Sequence, residues 1–212
     1  MIEGLLLFKI LINVIFYQTG NKSLYFNIIN TDNILRKMNR IYYEKEIKVN
    51  DLIYLNENIS RHIKVLRLKV QEKIILFNGN GREFVSKIIK IEKKSVLVNI
   101  ESYKKINNEL SFSITLVQVL PEGSKMDFII EKAVELGVDN IQPLISDRSV
   151  KKIDQNRIKK KMNHWNNIIC SASEQSGRNK LVKIFEPKPF LKWIDENKKK
   201  KLSYFQIQAR QN

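Results

Sequence analysis

Residues 111–145 read SFSITLVQVLPEGSKMDFIIEKAVELGVDNIQPLI. The first ten are a β-branched apolar run of strand length, and Pro121-Glu122-Gly123 then turns the chain. Ser124 with Asp127 three places on makes a capping-box pattern, which predicts a helix opening there. Met126, Ile129, Ile130, Ala133, Val134 and Leu136 recur at helical spacing, and Gly137 stands where a helix C-cap belongs. Residues 141–145 form a second buried strand. A strand, helix and strand of this length make a βαβ unit, so the sheet is expected to be parallel and the crossover right-handed.

Toward the C-terminus the alternation continues. A helix is predicted over residues 154–173, with Ile158, Met162, Trp165, Ile168 or Ile169, and Ala172 inward and Arg157, Lys159, Lys160 and Lys161 outward. A third strand follows at 181–185, a short helix at 190–197 after Pro187 and Pro189, and a possible fourth strand at 202–207. This is the grammar of an open α/β domain. Doubly wound sheets usually carry five or six strands, so the domain reads as incomplete, ending at Asn212 soon after the run Lys198 to Lys201.

Toward the N-terminus the grammar is different. Residues 51–55, 73–77, 83–91 and 95–100 are short β-branched runs, separated by Asn78-Gly79-Asn80-Gly81 and by Glu92-Lys93-Lys94. Strands this short and this close predict a small closed barrel. Within it, residues 59–68 (ISRHIKVLRL) have helical spacing, with Ile59, Ile63 and Leu66 on one side and Arg61, Lys64 and Arg67 on the other. That helix is either a surface element with a wet basic face or an RNA-facing one. Before the barrel, residues 4–17 are apolar but too short to span a membrane and lack the features of a signal peptide. Met38 is the expected natural start, with residues 1–37 an upstream extension.

The 212 residues carry 38 Lys and Arg against 22 Asp and Glu, a formal charge of +16. The charge is uneven: residues 38–108 hold 15 basic and 8 acidic groups, 109–147 hold 2 and 7, and 148–212 hold 17 and 5. Two basic stretches flanking an acidic one favour a nucleic-acid partner. Lys outnumbers Arg 29 to 9 and the chain is rich in Ile and Asn, the usage an AT-rich coding sequence imposes, so drift inflates the total. The single cysteine, Cys170, excludes an internal disulfide and a multi-cysteine zinc site. With only His62 and His164 besides, no metal site is expected, and a reducing cytoplasm fits.

No glycine-rich nucleotide loop, HExxH pair or GxSxG elbow is present, so hydrolase and kinase chemistry have no support. What remains are polar residues at strand and helix ends: Lys125, Asp147 and Arg148, and Glu174-Gln175-Ser176-Gly177-Arg178. Ligands of α/β sheets bind beyond the carboxyl ends of the strands, where Lys125 and Arg148 fall.

Six segments occur in order: residues 62–67 (HIKVLR), 77–81 (FNGNG), 123–127 (GSKMD), 131–138 (EKAVELGV), 146–149 (SDRS) and 173–178 (SEQSGR). Together they closely resemble the ribosomal RNA small subunit methyltransferase E family, over about residues 38–195. The resemblance implies three parts: a non-family extension at 1–37, a PUA-like RNA-binding barrel at 38–108, and a SPOUT α/β methyltransferase domain at 109–212. It implies a homodimer acting on 16S rRNA of the small ribosomal subunit, methylating N3 of one uridine with S-adenosyl-L-methionine. The family's Gly-Pro-Glu-Gly-Gly and Leu-Gly-x-x-Ile-Leu-Arg cofactor segments have no counterpart here, and residues 202–212 match nothing expected of it. The domain is therefore expected to lack its C-terminal knot, and a catalytically inactive relative that retains only RNA binding is the alternative. Gln71 also departs from the family, which usually has glycine there.

Uracil N3 carries a proton and lies on the Watson–Crick edge, so the reaction needs an unpaired base and either a proton acceptor or a stabiliser of negative charge on O2 and O4. Glu174 and Arg178 are the catalytic candidates as base and stabiliser. Gln175 could orient the base edge; Arg61, His62, Lys64, Arg67, Lys125 and Arg148 complete the substrate-binding set. The other reading of 174–178 is a segment that caps the helix and anchors the dimer.

Overall fold

A computed structural model describes residues 38–146 and 155–197. The first half is a five-stranded sheet: β1 (Arg40–Tyr42), β2 (Leu52–Leu55), β3 (Lys73–Phe77), β4 (Arg82–Ile91) and β5 (Val96–Lys105), in spatial order β1-β3-β4-β5-β2. β1 runs parallel to β3 and the remaining pairs are antiparallel. The path has two ends, β1 and β2, which do not pair with each other, so the sheet is not the hydrogen-bonded closed ring expected. Alternation puts Val96, Val98 and Ile100 of β5 inward. They meet Ile41, Leu55, Ile74, Leu76, Phe84 and Ile88 in one core.

Helix α1 (Glu57–Val65) closes that core with Ile63, which is fully buried. Asn56 caps its start, its side chain accepting from the Ile59 N–H at 2.9 Å. The helix is displaced from the predicted 59–68, because Arg67 turns into the left-handed region at φ 57 and the Leu68 N–H closes back on the Ile63 carbonyl. Gln71 has φ 76, with its N–H bonded to the Ile88 carbonyl. The turn requires the conformation glycine adopts most easily, and here a glutamine bears it.

The second half has β6 (Thr115–Val119), α2 (Lys125–Glu135), β7 (Asn140–Ile145), α3 (Gln155–Ser176), β8 (Lys183–Ile184), β9 (Lys188–Pro189) and α4 (Phe190–Asn197). All its strand pairs are parallel, as the βαβ pattern requires. Gly137 ends α2 at φ 89, where the Val138 N–H reaches the Ala133 carbonyl and the Gly137 N–H that of Val134. The capping box at the other end does not form: the Ser124 side chain makes no capping bond. Asp127 Oδ2 instead lies 2.8 Å from Nε2 of His164 on α3, a partner invisible at helical spacing.

The third strand predicted at 181–185 shortens to β8, and the unpredicted β9 follows it. β8 and β9 both lie along the same strand, β7, with residues 185–187 opposite 142–143, one residue more on their side. The side chain of Gln142 donates to the Glu186 carbonyl across the gap at 3.0 Å. Met126, Ile130, Val134, Ile141, Trp165, Ile169 and Val182 form the core of this half. The possible strand at 202–207 lies outside the described residues. No helix among the described residues is long and apolar enough to cross a membrane.

Candidate RNA interface and the domain junction

Residues 173–179 finish α3 and turn toward β8, and their side chains leave in three directions. Glu174 points to the first sheet, its carboxylate accepting from the Tyr42 N–H at 2.8 Å. Burial pushes its carboxyl above the usual range, partly offset by the Tyr42 N–H and by the charges of His62 and Arg40. Gln175 points the other way, into a cavity of about 330 Å³ that Glu131, His164, Asn167, Ile168, Ser171 and Ala172 also line. Arg178 turns back under α2, buried at 5% exposure.

Its guanidinium is almost fully used there. Nη1 donates to the carbonyls of Val138 at 2.7 Å and Val134 at 3.1 Å. Nε donates to Glu109 Oε1 at 3.3 Å, and Nη2 makes the second arm of the same ion pair. Val134 and Val138 flank the end of α2, whose last carbonyls need donors, so Arg178 doubles as a C-terminal cap. The expected convergence of Glu174, Gln175 and Arg178 on one base is not observed. One is tied to β1, one faces the cavity, and one is tied to Glu109.

Arg40, which sequence reading did not single out, joins the halves. It pairs with the buried Glu83 through Nη1, and its Nη2 donates to Asn179 Oδ1 at 2.6 Å and to the Arg178 carbonyl at 3.3 Å. The Gly81 N–H donates to the Asn179 carbonyl at 3.1 Å. Glu83 was the available signal: it stands beside Phe84 at the start of a β-branched run, and a carboxylate buried there requires a cation. Cys170, one turn before Glu174, has its thiol pushed up to about 11 by burial, with the carboxylates of Glu174 and Glu44 adding to it. It is a neutral packing group.

The cations of α1 are disposed differently. Arg61, His62 and Arg67 are exposed; Lys64 is half-exposed and donates to the Lys93 carbonyl at 2.7 Å. Arg61 has only a 3.8 Å pairing with Glu57 in open solvent. Val65, 72% exposed, lies among them. Lys125 is exposed at the start of α2, and Arg148 lies outside the described residues. Of the expected binding set, the structure places Arg61, His62 and Lys64 on α1 and Arg67 in the turn that ends it, and leaves Lys125 on a separate element. No group of three or more His, Cys, Asp or Glu among the described residues could hold a metal ion.

An RNA methyltransferase PUA domain model matches residues 55–101, and an RNA methyltransferase domain model matches residues 108–212. Ribosomal RNA small subunit methyltransferase E of Buchnera aphidicola subsp. Acyrthosiphon pisum (strain APS) is 34% identical over 165 residues, covering 76% of this chain and 64% of the relative. The chain belongs to the ribosomal RNA small subunit methyltransferase E family. The methyltransferase match runs to the last residue, further than the quoted motifs carry it. The family's Neisseria gonorrhoeae member, solved bound to S-adenosyl methionine, superposes with a TM-score of 0.71 at 36% identity, covering 75% of this chain and 66% of that one. A Legionella pneumophila structure in complex with the bound cofactor SAM gives 0.72 at 37%, covering 76% and 66%. The chain thus spans about two thirds of the length of the relatives it matches.

Proposed function

We propose that this chain takes part in methylation of N3 of a uridine in 16S rRNA of the small ribosomal subunit, with S-adenosyl-L-methionine as methyl donor, as a cytoplasmic homodimer. Kinship supports the reaction class. The observation that carries the RNA role is α1 and the turn after it, where Arg61 and Arg67 are exposed and Lys64, half-exposed, is held only by the Lys93 carbonyl, with no buried carboxylate among the described residues pairing any of the three. Phosphate contacts from such a face position RNA without reading its sequence.

When bound, the donor would supply an electrophilic methyl group, its S–CH3 bond breaking to leave a neutral thioether as the N–C bond forms, with the N3 proton passing to a base or to water. At the sheet edge beyond β6 the described residues do not wall a site for the donor. At Gly123, beyond β6, an added Cβ would meet nothing within 4 Å, so no close-walled cradle forms there. The cation at that edge, Lys125, has the same sign as a sulfonium. No step is therefore assigned to a donor contact. Glu174 has the raised carboxyl of a proton acceptor, yet its bond to Tyr42 makes it a positioning residue between sheet and helix in this reading. Arg178 acts through Glu109 and α2 in the same way.

The test is incubation with deproteinised 16S rRNA or small subunits and labelled donor, read as label in RNA and as a reverse-transcription stop, because a methyl on N3 blocks pairing. A stop at one uridine supports the proposal. RNA retention with no label transferred contradicts it and leaves the binding-only reading.

A further inference from the structure

One face of α3 takes no part in the core or in the junction. Ile158, Trp165, Ile169 and Ala172 pack inward, and Cys170 and Glu174 turn toward β1. The remaining stripe, at intervals of three and four, is Arg157, Lys160 and Lys161, then His164, then Asn167, Ser171 and Gln175. At 1.5 Å per residue it is ~27 Å long.

We propose that this stripe is a second RNA-contact surface, with phosphates on Arg157, Lys160 and Lys161 and an unpaired base in the cavity beside Asn167 and Gln175. It rests on the reading above that RNA is the partner, and it adds a surface on the α/β half. Arg157 and Lys160 are exposed and make no ion pair or hydrogen bond among the described residues, while Lys161 has only the ring of Trp165 at 5.9 Å. Like charges three and four apart on a helix repel. No acidic residue stands in the first turn of α3, so these cations add to the positive end of the helix dipole. Such an arrangement disfavours the free helix and suits a polyanion.

Glu131 of α2 lines the cavity, Asp127 of α2 touches its lining residue His164, and each carboxylate has a partner. Glu131 holds Lys132 at 2.8 Å, and Asp127 lies 2.8 Å from His164. The amides of Asn167 and Gln175 and the hydroxyl of Ser171 remain to meet a base edge. An anionic membrane is the other polyanion to weigh. Surface-seeking helices present a broad apolar face beside the charges, whereas the apolar face of α3 is buried in the core, and Ile168, which borders the stripe, is half-buried against that core.

The experiment is RNA binding by fluorescence anisotropy across a salt series, using a 16S rRNA fragment. It compares the full chain, a triple Arg157→Ala, Lys160→Ala, Lys161→Ala variant, and a double Asn167→Ala, Gln175→Ala variant. All five positions are exposed, and unchanged melting verifies the fold. The triple variant should bind at least ~10-fold more weakly at low salt, with the log–log salt slope shallower by roughly two units. The double variant should lose affinity with its slope unchanged. Wild-type binding by the triple variant, while Arg61, Lys64 and Arg67 substitutions abolish it, overturns this proposal and leaves the RNA reading standing. A full chain that binds no RNA overturns both. Loss of binding to phosphatidylserine-containing vesicles in the triple variant, with RNA binding intact, overturns the proposal in favour of a membrane.

Discussion

The exposed face of α1 and the end of α3 are built from the same residue types and do opposite things. On α1 and in the turn that ends it, Arg61 and Arg67 are exposed, and Arg61 has only an exposed carboxylate, Glu57, at 3.8 Å. After α3, Arg178 has its donors distributed over two carbonyls and a buried carboxylate. An arginine already committed in this way cannot also follow the charge of a reacting base without abandoning buried partners. An arginine in water can be lent to a phosphate at little cost. Burial and partner, rather than residue type, separate structural from ligand-facing cations here.

The contrast is most exposed to failure at Arg178. Replacing it with Met leaves Glu109 and the carbonyls at the end of α2 unpaired in the interior, and urea denaturation should show a loss of about 3–5 kcal/mol. Wild-type stability with activity alone abolished would restore the catalytic assignment. Arg40→Ala strips the buried Glu83 of its cation and cuts the bond to Asn179. It should cost about 2–3 kcal/mol in the same assay, and an unaltered denaturation midpoint would deny Arg40 its joining role.

A smaller effect is expected at Glu174. Because burial raises its carboxyl, the stabilisation linked to it is present below the unfolded value near 4.5 and is lost as pH rises through the folded value. Melting across that window should show wild type losing ground to Glu174→Gln as pH increases. Parallel curves would place the carboxylate in solvent. Smaller still is Gln71→Gly, which relieves the left-handed backbone at φ 76 and should stabilise the chain by about 0.5–1 kcal/mol in equilibrium unfolding. A destabilised variant would mean that the glutamine side chain, and not the turn, matters there.

The βαβ unit was legible because its signals are local. A β-branched run, a turn, helical spacing and Gly137 all lie within one 35-residue stretch, and each agrees with the others. Gln71 stood out only through the family resemblance, since the family usually has glycine at that position. The site was less legible, because its decisive contacts are distant in sequence: Arg178 with Glu109 is 69 residues apart, Arg40 with Glu83 is 43, and Glu174 with Tyr42 is 132. Periodicity carries no information about such pairs. It also led to a capping box at Ser124, where the tertiary contact of Asp127 with His164 wins over the local pattern. The open ends of the first sheet escaped for a related reason, since strand runs give the number of strands and not which edges meet.

The division between lent and committed cations is tested most directly by the salt dependence of RNA affinity for the Arg61→Ala, Lys64→Ala, Arg67→Ala variant beside the full chain. The log–log slope should fall by roughly two units, with each substitution changing stability by no more than about 0.5 kcal/mol. An unchanged slope, or a variant that no longer folds, would place these cations among the structural ones and contradict the account.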